Sequence, residues 1–144
     1  MLFRSIDGLN LKEEQFHLYK SGSENVEFKD NPKFDLVFTS PPYFDLEKYF
    51  DEPGQCWKDF PTKDLWYENY LIPTFRNCRE TLKENGKIVF NIDKAHQDLI
   101  LKAAKELNLK LIKTLDLSIG RDHFSKKNGI HEENFEPVFI FEKI

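Results

Sequence analysis

The residues of this chain best suited to chemistry are Ser40, Pro41, Pro42 and Tyr43, and they follow directly on the run Phe34, Asp35, Leu36, Val37, Phe38. A short run dominated by apolar and β-branched side chains reads as a strand buried on both faces. Proline donates no hydrogen bond to a ladder, so pairing stops at Pro41. Each pyrrolidine ring fixes its own φ, and Pro42 restricts Pro41 in turn. The carbonyls of Ser40 and Pro41 are therefore held in set directions, with no helix to absorb them. Ser40 adds a hydroxyl, and Tyr43 adds a flat ring with a polar tip. Acceptor oxygens beside an aromatic plate, at the carboxyl end of a strand, suit a planar molecule that carries an amino group. The plainer reading is a turn that closes a strand.

Thr39, Ser40, Pro41, Pro42 and Tyr43, preceded by that strand, resemble the catalytic motif of amino-group DNA methyltransferases. Those enzymes methylate the exocyclic nitrogen of adenine or cytosine with S-adenosylmethionine. The family's motif is Asp, Asn or Ser, then two prolines, then an aromatic residue. The serine form preceded by threonine is most like the group that methylates N4 of cytosine. The resemblance implies that Ser40 and the Pro41 carbonyl accept hydrogen bonds from the target amine, leaving its lone pair free to attack. It implies that Pro42 holds the turn and that Tyr43 stacks on a base flipped from the duplex. It further implies that Ser23, which follows Gly22, lies near the adenine of the cofactor with Glu24 beside it. Thr39 stands with them on the cofactor side. Trp57 and Phe60 would contact the nucleotide or else pack their loop onto the domain.

Two other readings stay open. One is a non-catalytic methyltransferase remnant that binds nucleic acid or a protein. The other is a methyltransferase of protein glutamine, which uses Asn where this chain has Ser40. The family's cofactor motif is a glycine-rich turn, and none of the six glycines here falls in a Gly-x-Gly pair. Residues 1–144 therefore read as one catalytic-half domain. It is truncated, completed by a partner chain, or built with its cofactor site after this segment. S-adenosylmethionine is the expected cofactor, with its site incomplete in these residues.

Composition bounds the elements that must position the motif. A chain of 144 residues with 40% hydrophobic residues and 14 Phe builds one domain with a real core. A net charge of −4 gives no global attraction to nucleic acid, so DNA must meet a local basic patch. Arg121, His123, Lys126 and Lys127, interleaved with Phe124, form such a patch and would grip phosphates. Cys56 and Cys78 lack metal-ligand spacing, no metal is expected, and reduced thiols fit a cytoplasmic protein. No apolar run approaches the roughly 18 residues of a membrane span, and residues 1–15 do not form a signal peptide.

Periodicity then gives the order of elements. Residues 16–20 are a short strand candidate, with 26–28 as a second. After the motif strand, residues 64–85 read as a helix capped by Asp64, kinked by Pro73 and stopped at Gly86. Residues 87–92 form a second buried strand whose end brings Asn91 and Asp93 near Ser40. Asp93 frames the pocket or caps a helix over 95–107, where His96 sits solvated in the first turn. Strands at 109–118 and 136–143 close the chain, and the loop between them emerges on the side of Asn91. This order predicts an α/β fold. The resemblance makes it a Rossmann-like methyltransferase sheet, mostly parallel with an antiparallel last strand. The motif strand would lack the neighbour that carries the cofactor turn, so its edge needs covering by residues 16–20 or 26–28, by the missing cofactor-binding half, or in a homodimer.

Overall fold

The computed structural model of this protein describes residues 16–44, 48, 51, 53–118 and 135–144. The motif run forms β1 (Phe34–Thr39), and the connection after it holds α1 (Cys56–Asp59) and α2 (Lys63–Trp66). Next come a π-helical stretch (Tyr67–Leu71), α3 (Ile72–Glu80), β2 (Leu82–Asn91), α4 (Gln97–Glu106), β3 (Leu109–Ser118) and β4 (Phe135–Lys143). Among the described residues the strands make one sheet in the order β1-β2-β4-β3. β1 pairs parallel with β2, whereas β4 pairs antiparallel with both β2 and β3. Three strands thus run one way and β4 runs against them, as the sequence predicts.

One face of this sheet makes the core. Ile88 and Phe90 of β2 and Phe139 and Phe141 of β4 are buried against Trp66, Leu71, Phe75, Ile100 and Ala103 from the helices. Phe75 stacks on Phe90 with ring centroids 4.4 Å apart, a pairing that adds to the burial of both rings. The alternate residues of β1 face the other way, and Leu36 and Phe38 are 56% and 70% exposed.

The long helix departs from expectation at both ends. Its start is capped by Thr62, whose hydroxyl accepts from the Leu65 N–H at 3.3 Å, and not by Asp64. Pro73 lies inside a continuous helix, directly after the π-helical stretch, where it removes one backbone hydrogen bond. The wider π-helical turn lies just before it, so the irregularity precedes the proline. The helix ends at Glu80 because the Thr81 hydroxyl turns back to the carbonyls of Asn77 and Cys78, each at 3.0 Å. Phe34 then faces Leu82 while Leu36 faces Lys87, so residues 83–86 loop out of the ladder. Asn85, at φ 62°, takes the left-handed position expected of Gly86. Gly86 serves close approach instead, since a Cβ there would lie 3.0 Å from the Lys83 carbonyl oxygen. Asp35, the charge inside the apolar run, pairs with Lys83 at 2.8 Å and ties this loop to β1. Beyond the loop, the strand matches the one read at 87–92.

Residues 16–20 and 26–28 do not pair as strands. Left-handed Asp30 and Asn31, at φ 61° and 45°, turn the chain before Pro32. Side chains of α3 hold the segment: Asn77 Nδ2 donates to the Ser23 carbonyl at 2.8 Å. It meets β1 through Phe28, whose ring lies 6.3 Å from that of Phe34. β1 is therefore an edge strand among the described residues. A cleft of about 270 Å³ lies beside it, lined by Val26, Phe28, Leu36, Val37 and Cys78.

Cys78 packs against the core, as its place on the helical stripe predicts. Burial pushes its thiol up to about 11. The folded state favours the neutral thiol, so reactivity is suppressed at pH 8 and rises as pH approaches that value. The same preference contributes stability that is lost as pH rises through that range. A shift of this size leaves about a hundredfold less thiolate than in the unfolded chain. Alkylation of Cys78 at pH 8, followed by mass spectrometry, should be slower in buffer than in urea by about that factor.

Candidate active site

Topology decides what can meet Ser40. β1 and β2 are parallel, so their carboxyl ends coincide: Thr39 faces Phe90, and Asn91 follows it. β4 runs antiparallel and pairs Val138 with Asn91, which brings its first residues to that same end. Ser40, Asn91 and Glu136 are thus delivered to one place by three strands. Open α/β sheets bind ligands at this end.

Tyr43 closes the cluster. Its hydroxyl donates to Glu136 Oε2 at 2.9 Å. The surrounding hydrogen bonds assign the Asn91 amide with Nδ2 toward Tyr43 Oη at 2.9 Å, Glu136 Oε2 at 3.2 Å and Ser40 Oγ at 3.3 Å, and with Oδ1 accepting from the Ile92 N–H at 3.3 Å. The reverse amide orientation would turn Oδ1 toward the carboxylate and require one phenolic proton to serve two acceptors, each at 2.9 Å. Ser40 Oγ lies 3.4 Å from Tyr43 Oη. Ser40 is exposed and Pro41 is buried, so the serine lies at the surface while the turn beneath it is fixed.

The turn is held from the far side by Phe44. Its N–H donates to the Pro42 carbonyl at 3.0 Å, and its φ is 43°. A bulky residue in the left-handed region costs about 1–3 kcal/mol and persists only where its surroundings demand it. The Phe44 ring lies 6.2 Å from that of Trp66 and 6.1 Å from that of His96. His96 is only 5% exposed, which corrects the solvated position expected for it. Its Nδ1 lies 2.7 Å from Asp93 Oδ1. The Asp93 side chain therefore does not cap α4, which has no side-chain cap. It orients the imidazole that supports Phe44.

The other candidate residues are placed as follows. Ser23 Oγ is 2.9 Å from Thr74 Oγ1. Glu24 is half-buried, and one of its carboxylate oxygens has no partner among the described residues. No hydrogen bond joins either residue to the Ser40 cluster among the described residues. Thr39 is half-buried in the ladder. Trp57, on α1, carries the ammonium groups of Lys48 and Lys58 at 5.5 and 5.7 Å from its ring. Phe60 packs its loop down, 5.6 Å from Tyr70. Arg121, His123, Lys126 and Lys127 lie outside the described residues. Among the described residues no group of three or more His, Cys, Asp or Glu could hold a metal, and no helix is long and apolar enough to cross a membrane.

Sequence reasoning missed Glu136 and Phe44. Phe44 had a signal, as an aromatic directly behind the motif. Glu136 had none, because its contact with Tyr43 spans 93 positions.

Residues 34–143 match a family model described as DNA methylase. A 69-residue stretch is 39% identical to the Type II methyltransferase M.SmaI of Serratia marcescens, covering 48% of this chain and 23% of that protein. The candidate DNA modification methylase TTHA0409 of Thermus thermophilus aligns with a TM-score of 0.56 at 16% identity, over 85% of this chain and 50% of that one. The M1.HpyAVI–SAM complex aligns with a TM-score of 0.51 at 14% identity, over 78% of this chain and 46% of that one. At these identities the two structures share the fold. The chain spans 23% of the length of the curated relative and about half of each solved one.

The left-handed Phe44 makes a direct test. Phe44→Ala and Phe44→Gly both lose the ring, but only glycine adopts that φ without strain. Urea unfolding should find the glycine variant more stable than the alanine variant by about 1 kcal/mol. The usual opposite order would show that the turn relaxes once the ring is gone.

Proposed function

The chain belongs to the N6/N4 amino-group DNA methylase family, and from that membership we propose that Ser40, Pro41, Pro42 and Tyr43 form its methylating centre. The substrate we assign is DNA, with N4 of a cytosine preferred over N6 of an adenine, in a base turned out of the duplex. The observation that carries this reading is the polar cluster of Ser40, Tyr43, Asn91 and Glu136, set at the carboxyl ends of β1 and β2 beside a rigid double-proline turn.

The chemistry asks for acceptors. An exocyclic amine on a nucleobase is a weak nucleophile because its lone pair is spread into the ring. Oxygens that accept its two hydrogens favour a pyramidal nitrogen and return the lone pair to it. Ser40 Oγ and the Pro41 carbonyl supply such oxygens, and the two pyrrolidine rings fix their directions before substrate arrives. Tyr43, tethered at its hydroxyl, offers its ring as a plate for the base. Phe44, Trp66 and His96 hold that plate from behind.

S-adenosylmethionine supplies an electrophilic methyl group when bound. The unpartnered Glu24 oxygen suits a hydroxyl or amine donor of that molecule, and Ser23 and Thr39 complete the residues we assign to it. The sequence holds no Gly-x-Gly turn, so these residues make part of a site. M1.HpyAVI was solved as a SAM complex, which supports the assignment of the cofactor. For DNA, Trp57 with its two flanking lysines fits a base or sugar, and Arg121, His123, Lys126 and Lys127 fit phosphates. The open apolar edge at β1 fits a second protein strand, from a cofactor-holding partner or from another copy of the chain.

Methyl transfer from S-adenosylmethionine to cytosine-containing DNA tests the centre. Ser40→Ala and Tyr43→Ala should each lower the rate by well over an order of magnitude, since a specific hydrogen bond or a stacked base is worth roughly 1–3 kcal/mol. Wild-type rates in both variants would remove the assignment. Light scattering tests the edge: self-association is expected at high concentration, and a clean monomer that binds no apolar dye would leave β1 without need of a partner.

A further inference from the structure

The Ser40 cluster contains more hydroxyls than a simple acceptor needs, and the carboxylate at its end gives them a direction. A hydroxyl donates one hydrogen and accepts two, whereas an ionised carboxylate only accepts. Glu136 Oε2 lies 2.9 Å from Tyr43 Oη, so the phenolic proton points to Glu136. Tyr43 Oη then presents lone pairs only. It receives Asn91 Nδ2 at 2.9 Å and the Ser40 hydroxyl at 3.4 Å. With its own proton turned inward, Ser40 Oγ faces the exposed side of the turn with a lone pair.

We propose that Glu136 is a positioning residue that sets the polarity of the base pocket through Tyr43 and Ser40, so that it admits an amino-bearing base edge and rejects a carbonyl-bearing one. The inference rests on the reading of Ser40 and Tyr43 as the amine site, and goes beyond it by assigning selectivity to a residue outside the motif. A cytosine or adenine amine brings hydrogens to Ser40 Oγ. A uracil or hypoxanthine oxygen brings lone pairs to lone pairs. The rejection follows from the acceptor-only end of the chain, since a reversed chain would turn the Ser40 proton outward and welcome the carbonyl. Glu136 is half-buried at the start of β4, which leaves room for substitutions of similar length.

Binding of short single-stranded oligonucleotides to the full chain, without cofactor, reads this directly. Two matched pairs serve as probes: one cytosine against one uracil, and one adenine against one hypoxanthine, in an otherwise constant strand. Wild type should prefer the amino member of at least one pair by about tenfold, the worth of one well-placed hydrogen bond. Glu136→Gln keeps an acceptor oxygen and should retain most of that preference. Glu136→Met offers no acceptor and should lose it. Glu136→Lys offers only donors and should invert it. A residue that merely supports the fold would alter both members of a pair alike and leave their ratio unchanged. In a Tyr43→Phe background the Glu136 variants should no longer change the ratio, because the path runs through that hydroxyl. Urea midpoints of each variant separate folding from selectivity. Absence of a preference in wild type would bring down the amine-site reading and this inference with it. A wild-type preference that survives in the folded Met and Lys variants would overturn the role of Glu136 alone.

Discussion

The site depends on the parallel pairing of β1 with β2. Thr39 lies opposite Phe90, so Ser40 and Asn91, which follow them, emerge at the same end of the sheet. A shift of one residue would turn Asn91 to the other face, because side chains alternate along a strand. The loop at residues 83–86 takes up the mismatch between Phe34–Leu82 and Leu36–Lys87 before the ladder reaches the site. Its irregular geometry at Asn85 and Gly86 stands at the far end of the strand from the polar cluster. The antiparallel β4 then reverses direction, which places its first residues beside the last residues of β2. A parallel strand in that position would bring its final residues there instead.

Around this register the sequence stores strain where it is supported. Phe44 sits at a φ of 43°, and three groups hold it there: Trp66 from the end of α2, His96 from the start of α4, and Asp93 behind His96. The double proline removes freedom from one side of Tyr43, and the packed Phe44 removes it from the other. A binding surface prepared in this way loses less entropy when a ligand arrives. The same arrangement explains why a histidine in the first turn of α4 is buried beside a tryptophan and not solvated. The imidazole has an apolar perimeter to pack, and Asp93 meets its Nδ1.

The sheet itself is finished on one face and open on the other. The helices bury Ile88, Phe90, Phe139 and Phe141, while Leu36, Phe38 and Leu115 remain exposed among the described residues. Single exposed apolar residues are ordinary, but several on one strand at a sheet edge mark a surface that another element fits. The stretch over residues 16–33 leaves that edge unpaired and is tied to α3 through Ser23 and Lys33.

What the sequence determined by itself was local. Two adjacent prolines after an apolar run define a rigid turn wherever they occur, and the alternation over 109–118 and the apolar run over 138–141 define β3 and β4 without reference to any partner. Ser40, Tyr43 and the nearness of Asn91 were legible for that reason, as were the antiparallel last strand and the buried stripe of the long helix. The helix boundary near Glu80 was not, since Thr81 ended the helix with its own hydroxyl while Asn85 and Gly86 carried the stronger turn signal. The strands expected at residues 16–20 and 26–28 did not form, although β1 leaves an edge open to them. Only the tertiary structure put Glu136 against Tyr43 across 93 positions and wedged Phe44 between two helices. Those contacts depend on which strand lies beside which and in what direction, and no short stretch of residues carries that information.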